Sequence, residues 1–152
     1  MEYLVFSFWF MLIHTAAYML AGMLALRISK DIYEGKSRLM DYLRDMSVED
    51  ESKHVQKWLF PSQLVRGLLM SVVLYPVLAP LGEMGFGLRF AFLTGLMFVY
   101  MDLACAVPFP SNIEGFVYMK KRFIKKSAFL KFQFEMIIYS LILGFLTSYF
   151  LF

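Results

Sequence analysis

FVYMDLACAVPFPSNIEGFVYMKKRFIKK, residues Phe98–Lys126, is the stretch that decides the fold. It holds one acid, Asp102, inside an apolar run, then Pro108 and Pro110, an Asn112-Ile-Glu114-Gly turn, and a dense basic cluster. Read physically, this is a membrane helix that carries a carboxylate toward an interface, breaks there and meets charge. The rest of the chain agrees. Of 152 residues, 60% are hydrophobic and 18% aromatic, more apolar surface than so short a chain can hide from water. The length corresponds to one domain. A single cysteine, Cys105, excludes an internal disulfide and dithiol redox chemistry within one chain.

Working outward, four runs are long and apolar enough to span, at about 3–26, 64–82, 88–109 and 128–152, which predicts an all-α, four-span transmembrane helix bundle. Only Glu2 precedes the first run, and Arg27 and Lys30 follow it, the reverse of a cleavable signal peptide. It reads as a retained helix that overshoots the membrane through Ile28 and Ile32 to a C-cap at Gly35. Pro76 and Pro80 predict a kink near the far end of the second span. Pro108 and Pro110 are expected to end the third. In the first loop Leu39, Leu43 and Met46 share a helical face. Ser47 with Asp50 reads as a capping box opening a second short helix, which presents Val55, Trp58 and Leu59. Both are expected to be short interfacial helices on the membrane surface.

All but Arg89 of the fifteen lysines and arginines fall in the first and third loops or just beside them. The positive-inside rule then makes loops 27–61 and 110–127 cytoplasmic and puts both termini outside an inner (plasma) membrane.

An ionisable side chain at the centre of a membrane helix costs about 2.5–3.5 kcal/mol, so each needs a partner or a role. By helical rise Arg66, Asp102 and Glu135 lie at similar depths, roughly 8–10 Å from the basic surface. His14 sits nearer the midplane. Ala91, Gly95, Asp102 and Ala106 form a small-residue stripe on the third span, and Ser7, His14, Ala17 and Ala21 form one on the first. Gln63, Arg66, Gly67 and Met70 cluster on the second. An Arg66–Asp102 ion pair is the natural expectation. Gln133, Ser140, Gly144 and Ser148 mark one face of the fourth span. Glu135 lies almost opposite with Tyr139, which predicts an ion pair with Lys131 or Arg122, or cover by a second chain, hence a homo-oligomer or a partner membrane protein. Asn112 and Glu114 are expected to shape the turn after the prolines, and Cys105 to fill space.

No metal or cofactor is expected. His14 and His54 lie on different segments at different depths, which fits neither zinc nor haem, and no glycine loop cradles phosphate. The basic cluster Lys120, Lys121, Arg122, Lys125 and Lys126 is interleaved with aromatics, but at a membrane boundary it suits anionic lipid headgroups rather than nucleic acid. In length and span count the chain resembles the membrane-associated glutathione and eicosanoid enzymes. The arginine-rich, Asn- and Glu-bearing second helix of that family is absent between Pro61 and Pro80. The leading functional expectation is a non-enzymatic scaffold or docking subunit. The alternatives are an ion- or proton-coupled transporter or channel using Arg66, Asp102 and Glu135, or an enzyme on a lipid substrate at the inner leaflet. A packed interior at the Arg66–Asp102 level favours the first, and a hollow one the other two.

Overall fold

The computed structural model describes residues 2–152 and is all-helical, with no strand among the described residues. Its elements are α1 (Glu2–Ile28), α2 (Lys30–Tyr33), α3 (Glu49–Leu74), a 3-10 turn (Tyr75–Val77), α4 (Leu78–Glu83), α5 (Phe86–Gly95), a π-helical segment (Leu96–Leu103), α6 (Ile113–Tyr118) and α7 (Lys126–Phe150). Among the described residues four helical stretches are long and apolar enough to cross a membrane: Glu2–Ile28, Glu49–Glu83, Phe86–Leu103 and Lys126–Phe150. Large apolar side chains such as Leu4, Phe8, Val65, Leu69, Val73 and Leu88 stay exposed along them, which suits a lipid environment.

The packing is serial rather than closed. α1 lies against α3 and α7, and α7 also carries α5 and the π segment, whereas α3 has no comparable contact with α5 or that segment. The α1–α3 contact rests on Gly67, where a Cβ would stand 2.9 Å from the Met11 Cα and 3.0 Å from the His14 ring. The α7–α5 contact rests on Gly144, where a Cβ would overlap the Thr94 hydroxyl. Away from the basic end, Ala17, Ala21, Met97, Tyr139 and Leu143 form the buried core, with Met70 and Leu96 packed on it.

The first loop differs from its expected form. Residues 34–48 contain no helix, so Leu39, Leu43 and Met46 do not share a helical face. The capping box is not formed either. The Ser47 hydroxyl donates to Asp45 Oδ1 at 2.6 Å, and α3 starts at Glu49 with no side-chain cap. From there α3 runs unbroken through Pro61 into the second span, so Val55, Trp58 and Leu59 belong to that long helix and not to a separate one. The loop folds around two charged side chains instead. Asp45 Oδ1 accepts the backbone N–H groups of Gly35 (3.0 Å) and Ser47 (2.9 Å), and Arg38 bonds Asp45 Oδ2 (3.2 Å) and the carbonyls of Asp41 and Leu43. Gly35, at φ 87°, makes the turn that only glycine adopts freely. Ile32 and Met40 are then buried against Ala128 and Phe132, with Tyr33, Phe109 and Phe123 around them, which floors the basic end of the molecule.

Two outcomes follow. Gly67→Val forces the Met11 backbone away and lowers stability in detergent by about 2 kcal/mol, whereas Gly22→Ala, with nothing within 4 Å of the added carbon, leaves it unchanged or raises it; equal thermal midpoints for both variants would contradict the close crossing. Hydrogen bonds from the Ser47 hydroxyl and from the Ser47 and Gly35 backbone hold the Asp45 carboxyl below its ordinary value of 3.8. A carboxyl depressed by folding stabilises above its unfolded pKa and loses that contribution as pH falls through its folded pKa. Amide-exchange protection of residues 34–48 therefore persists at neutral pH and is lost in acid below about pH 4, and Asp45→Asn lowers it at neutral pH too.

Candidate functional site

The third span owes its facing to the π segment. Along a regular α-helix the nine-residue step from Leu93 to Asp102 would turn about two and a half revolutions and set the two side chains on opposite faces. Here the backbone closes wider turns, with Ala104 N–H bonding Val99 O at 2.7 Å, and Leu93, Met97 and Asp102 all come to the buried side. The small-residue stripe is not the packing face. Ala91 and Ala106 are exposed, and Gly95 has open space where a Cβ would be. Helical structure ends at Leu103, earlier than expected, and Pro108 and Pro110 lie in the non-helical stretch that follows.

Asp102 does not pair with Arg66. Its carboxylate accepts the Ser111 hydroxyl at 2.6 Å and the Gln133 side-chain N–H at 2.9 Å, and the same Gln133 nitrogen donates to the Ser111 carbonyl at 2.7 Å. Asp102, Ser111 and Gln133 are all buried. This clamp joins the third span, the loop after it and α7. Asn112 braces the loop. Its amide donates to Val107 O (2.7 Å) and Cys105 O (3.3 Å) and accepts from Phe109 N–H (3.0 Å) and Gly115 N–H (2.8 Å), capping α6. Gly115 is required there, since a Cβ would fall on the Phe109 carbonyl. Glu114 sits half-exposed in the first turn of α6 and takes part in no ion pair among the described residues.

With Asp102 satisfied locally, the space between α3 and the third span stays open. It forms a cavity of about 370 Å³ reaching the surface, lined by Tyr18 of α1, Tyr33 of α2, Arg66 of α3, Met101 and Asp102 of the π segment, Cys105 and Val107 to Asn112 in part, and Phe132, Glu135 and Met136 of α7. Arg66 is in none of the ion pairs among the described residues, and its guanidinium lies 5.9 Å from the centre of the Tyr18 ring. Glu135 is likewise in none, which corrects its expected pairing. Lys131 bonds Asp31, and Arg122 lies 3.8 Å from Asp41. Glu135 lines the cavity instead. Cys105 is half-exposed in the cavity wall rather than simple filling.

His14 lies apart from this cavity. Fully buried, it meets the Tyr139 hydroxyl through Nδ1 (2.8 Å) and Gln63 Oε1 through Nε2 (3.3 Å). An amide oxygen only accepts, so Nε2 carries the proton and Nδ1 accepts from tyrosine. The ring thereby pins α1, α3 and α7 together. Lys120, Lys121, Arg122, Lys125 and Lys126 are all exposed, with Arg122 also stacked over Phe123 at 4.5 Å.

Sequence reasoning did not anticipate Ser111, Tyr18 or Tyr33 as parts of a site. Ser111 had no signal beyond following Pro110, and Tyr18 and Tyr33 had none beyond lying within and just past the first span. Chemically, the cavity offers a free guanidinium for an anion, a free carboxylate for a proton or cation, and apolar walls of methionine and phenylalanine. Among the described residues no group of three histidine, cysteine or acidic side chains is placed to hold a metal. No protein-family model, curated protein or solved structure matches the chain, so the functional reading rests on this site alone.

Proposed function

We propose that this small polytopic membrane protein binds the polar end of an anionic amphiphile, such as a phospholipid or fatty acid, in the cavity between α3 and the third span. The observation that carries the reading is that Arg66 shares a hollow with Asp102 and Glu135 yet is in an ion pair with neither. A purely structural arginine inside a membrane would be consumed by a partner. A docking-only subunit would also have no need of a cavity at this level. Arg66 receives the anionic group in the fork geometry that suits phosphate and carboxylate. The chain of the amphiphile lies along the open seam, against Met101, Val107 and Met136. The positive-inside rule assigns the cavity to the inner leaflet. Binding of this kind is the step shared by carriers and enzymes on lipid substrates, with Glu135 placed to move a proton in either.

Mass spectrometry of protein purified in mild detergent tests this. The wild type retains an anionic amphiphile at near-equal stoichiometry, and Arg66→Gln, which keeps the stem but removes the charge, reduces it by about tenfold or more. Equal retention by both proteins, or none by the wild type, would overturn the reading.

A further inference from the structure

α6 is unusual for the side chains it leaves uncovered. Of its six residues Ile113, Phe116, Val117 and Tyr118 are each 62–71% exposed, while only Gly115 is buried. A helix this short does not persist on its own. It is held by the Asn112 cap and by the contact of Gly115 with the Phe109 carbonyl. The exposed apolar face is therefore a fixed feature of the fold. Directly after it come Lys120, Lys121, Lys125 and Lys126, all exposed and in none of the ion pairs among the described residues. Across the basic end, Lys57 and Trp58 of α3 are also exposed, with the ammonium 5.4 Å from the indole ring.

We infer that α6 and the Lys120–Lys126 segment form an interfacial anchor whose partner is the anionic leaflet of the membrane that the protein itself occupies. Ile113, Phe116 and Val117 enter the boundary between headgroups and acyl chains, Tyr118 sits at headgroup level, and the four lysines meet anionic headgroups. Charge complementarity selects this occupant over a zwitterionic surface. The short tethers that join α6 to an apolar span on either side, residues 104–112 and 119–125, keep it at that surface and select the leaflet over a separate protein. The anchor also bears on the cavity. Ser111 and Asn112, immediately before α6, hold Asp102 and the carbonyls of Cys105 and Val107, so seating α6 in the leaflet fixes the cavity wall.

The test uses the full chain in nanodiscs of phosphatidylcholine mixed equally with phosphatidylglycerol. A spin label at Phe116→Cys, in a Cys105→Ser background, is expected to collide with oxygen more than with a water-soluble nickel complex, as a buried label does. Native mass spectrometry is expected to find phosphatidylglycerol retained in preference to phosphatidylcholine. Neutralising Lys120, Lys121, Lys125 and Lys126 to glutamine reduces that preference by about tenfold or more. Repeating both arms in Arg66→Gln removes the cavity's own lipid, so loss of the preference only there would locate it in the cavity and overturn the anchor. A water-exposed label at Phe116, or a preference unchanged by the four glutamines, would also overturn it. So would a stoichiometric protein partner covering the labelled face in native membranes.

Discussion

A carboxylate inside an apolar helix has to find hydrogen-bond donors from protein, because lipid offers none. For Asp102 those donors are Ser111, nine residues on, and Gln133 of α7. Reaching both requires the third span to widen into π turns and then stop, so that the chain can return beneath its own end. The asparagine-braced loop, the cap of α6 and the docking of that loop on α7 follow from this one requirement. Removing the charge from an α-helical Asp102 would have been simpler by pairing it with Arg66. The clamp satisfies the acid without closing the seam.

That choice explains why the molecule is hollow where it is most polar. α7 is the central helix, pressed by α1 on one side through Tyr139 and Leu143 and by α5 on the other through Gly144. α3 is held chiefly by α1, through Gly67, the His14–Gln63 bond and the Ser71–Ser7 bond. Met70 of α3 and Leu96 of the third span pack on the same buried clusters, whereas Arg66, Met101 and Asp102 line a cavity between those two elements. The first loop, folded around Arg38 and Asp45, covers the bottom of the gap with Tyr33 and its neighbours. Arg66 and Glu135 are left lining one cavity, in no ion pair among the described residues.

Much of the fold could be read from hydropathy alone, since four long apolar runs have few other ways to exist in so short a chain. The facing of α1 and of one side of α7 also followed from small and polar residues at helical spacing. Ser7, His14, Ala17, Ala21, Gln133, Ser140, Gly144 and Ser148 are all buried. The third span was misread because a π turn leaves no mark in hydrophobic period; Asp102 faces inward, but with Leu93 and Met97 rather than with Ala91 and Gly95. The first loop was misread because Leu39, Leu43 and Met46 satisfy a helical period by chance, while Arg38 and Asp45 impose a non-helical chain path through hydrogen bonds that no local pattern encodes. The depths of Arg66, Asp102 and Glu135 pointed to one shared level. Whether they pair there depends on Ser111, a residue with nothing in its surroundings to announce it.

The native Cys105 reports on the open seam directly, because its thiol lies in the cavity wall beside Asp102. Its reaction with a small charged methanethiosulfonate reagent, applied to the basic face of the folded protein in nanodiscs, is the decisive measurement. An open cavity predicts modification at a rate within about tenfold of a free thiol, slowed by an added anionic amphiphile. A cysteine that stays unmodified until the protein is unfolded would mean that the spans close on one another at this level, and the clamp would then have no cavity to preserve.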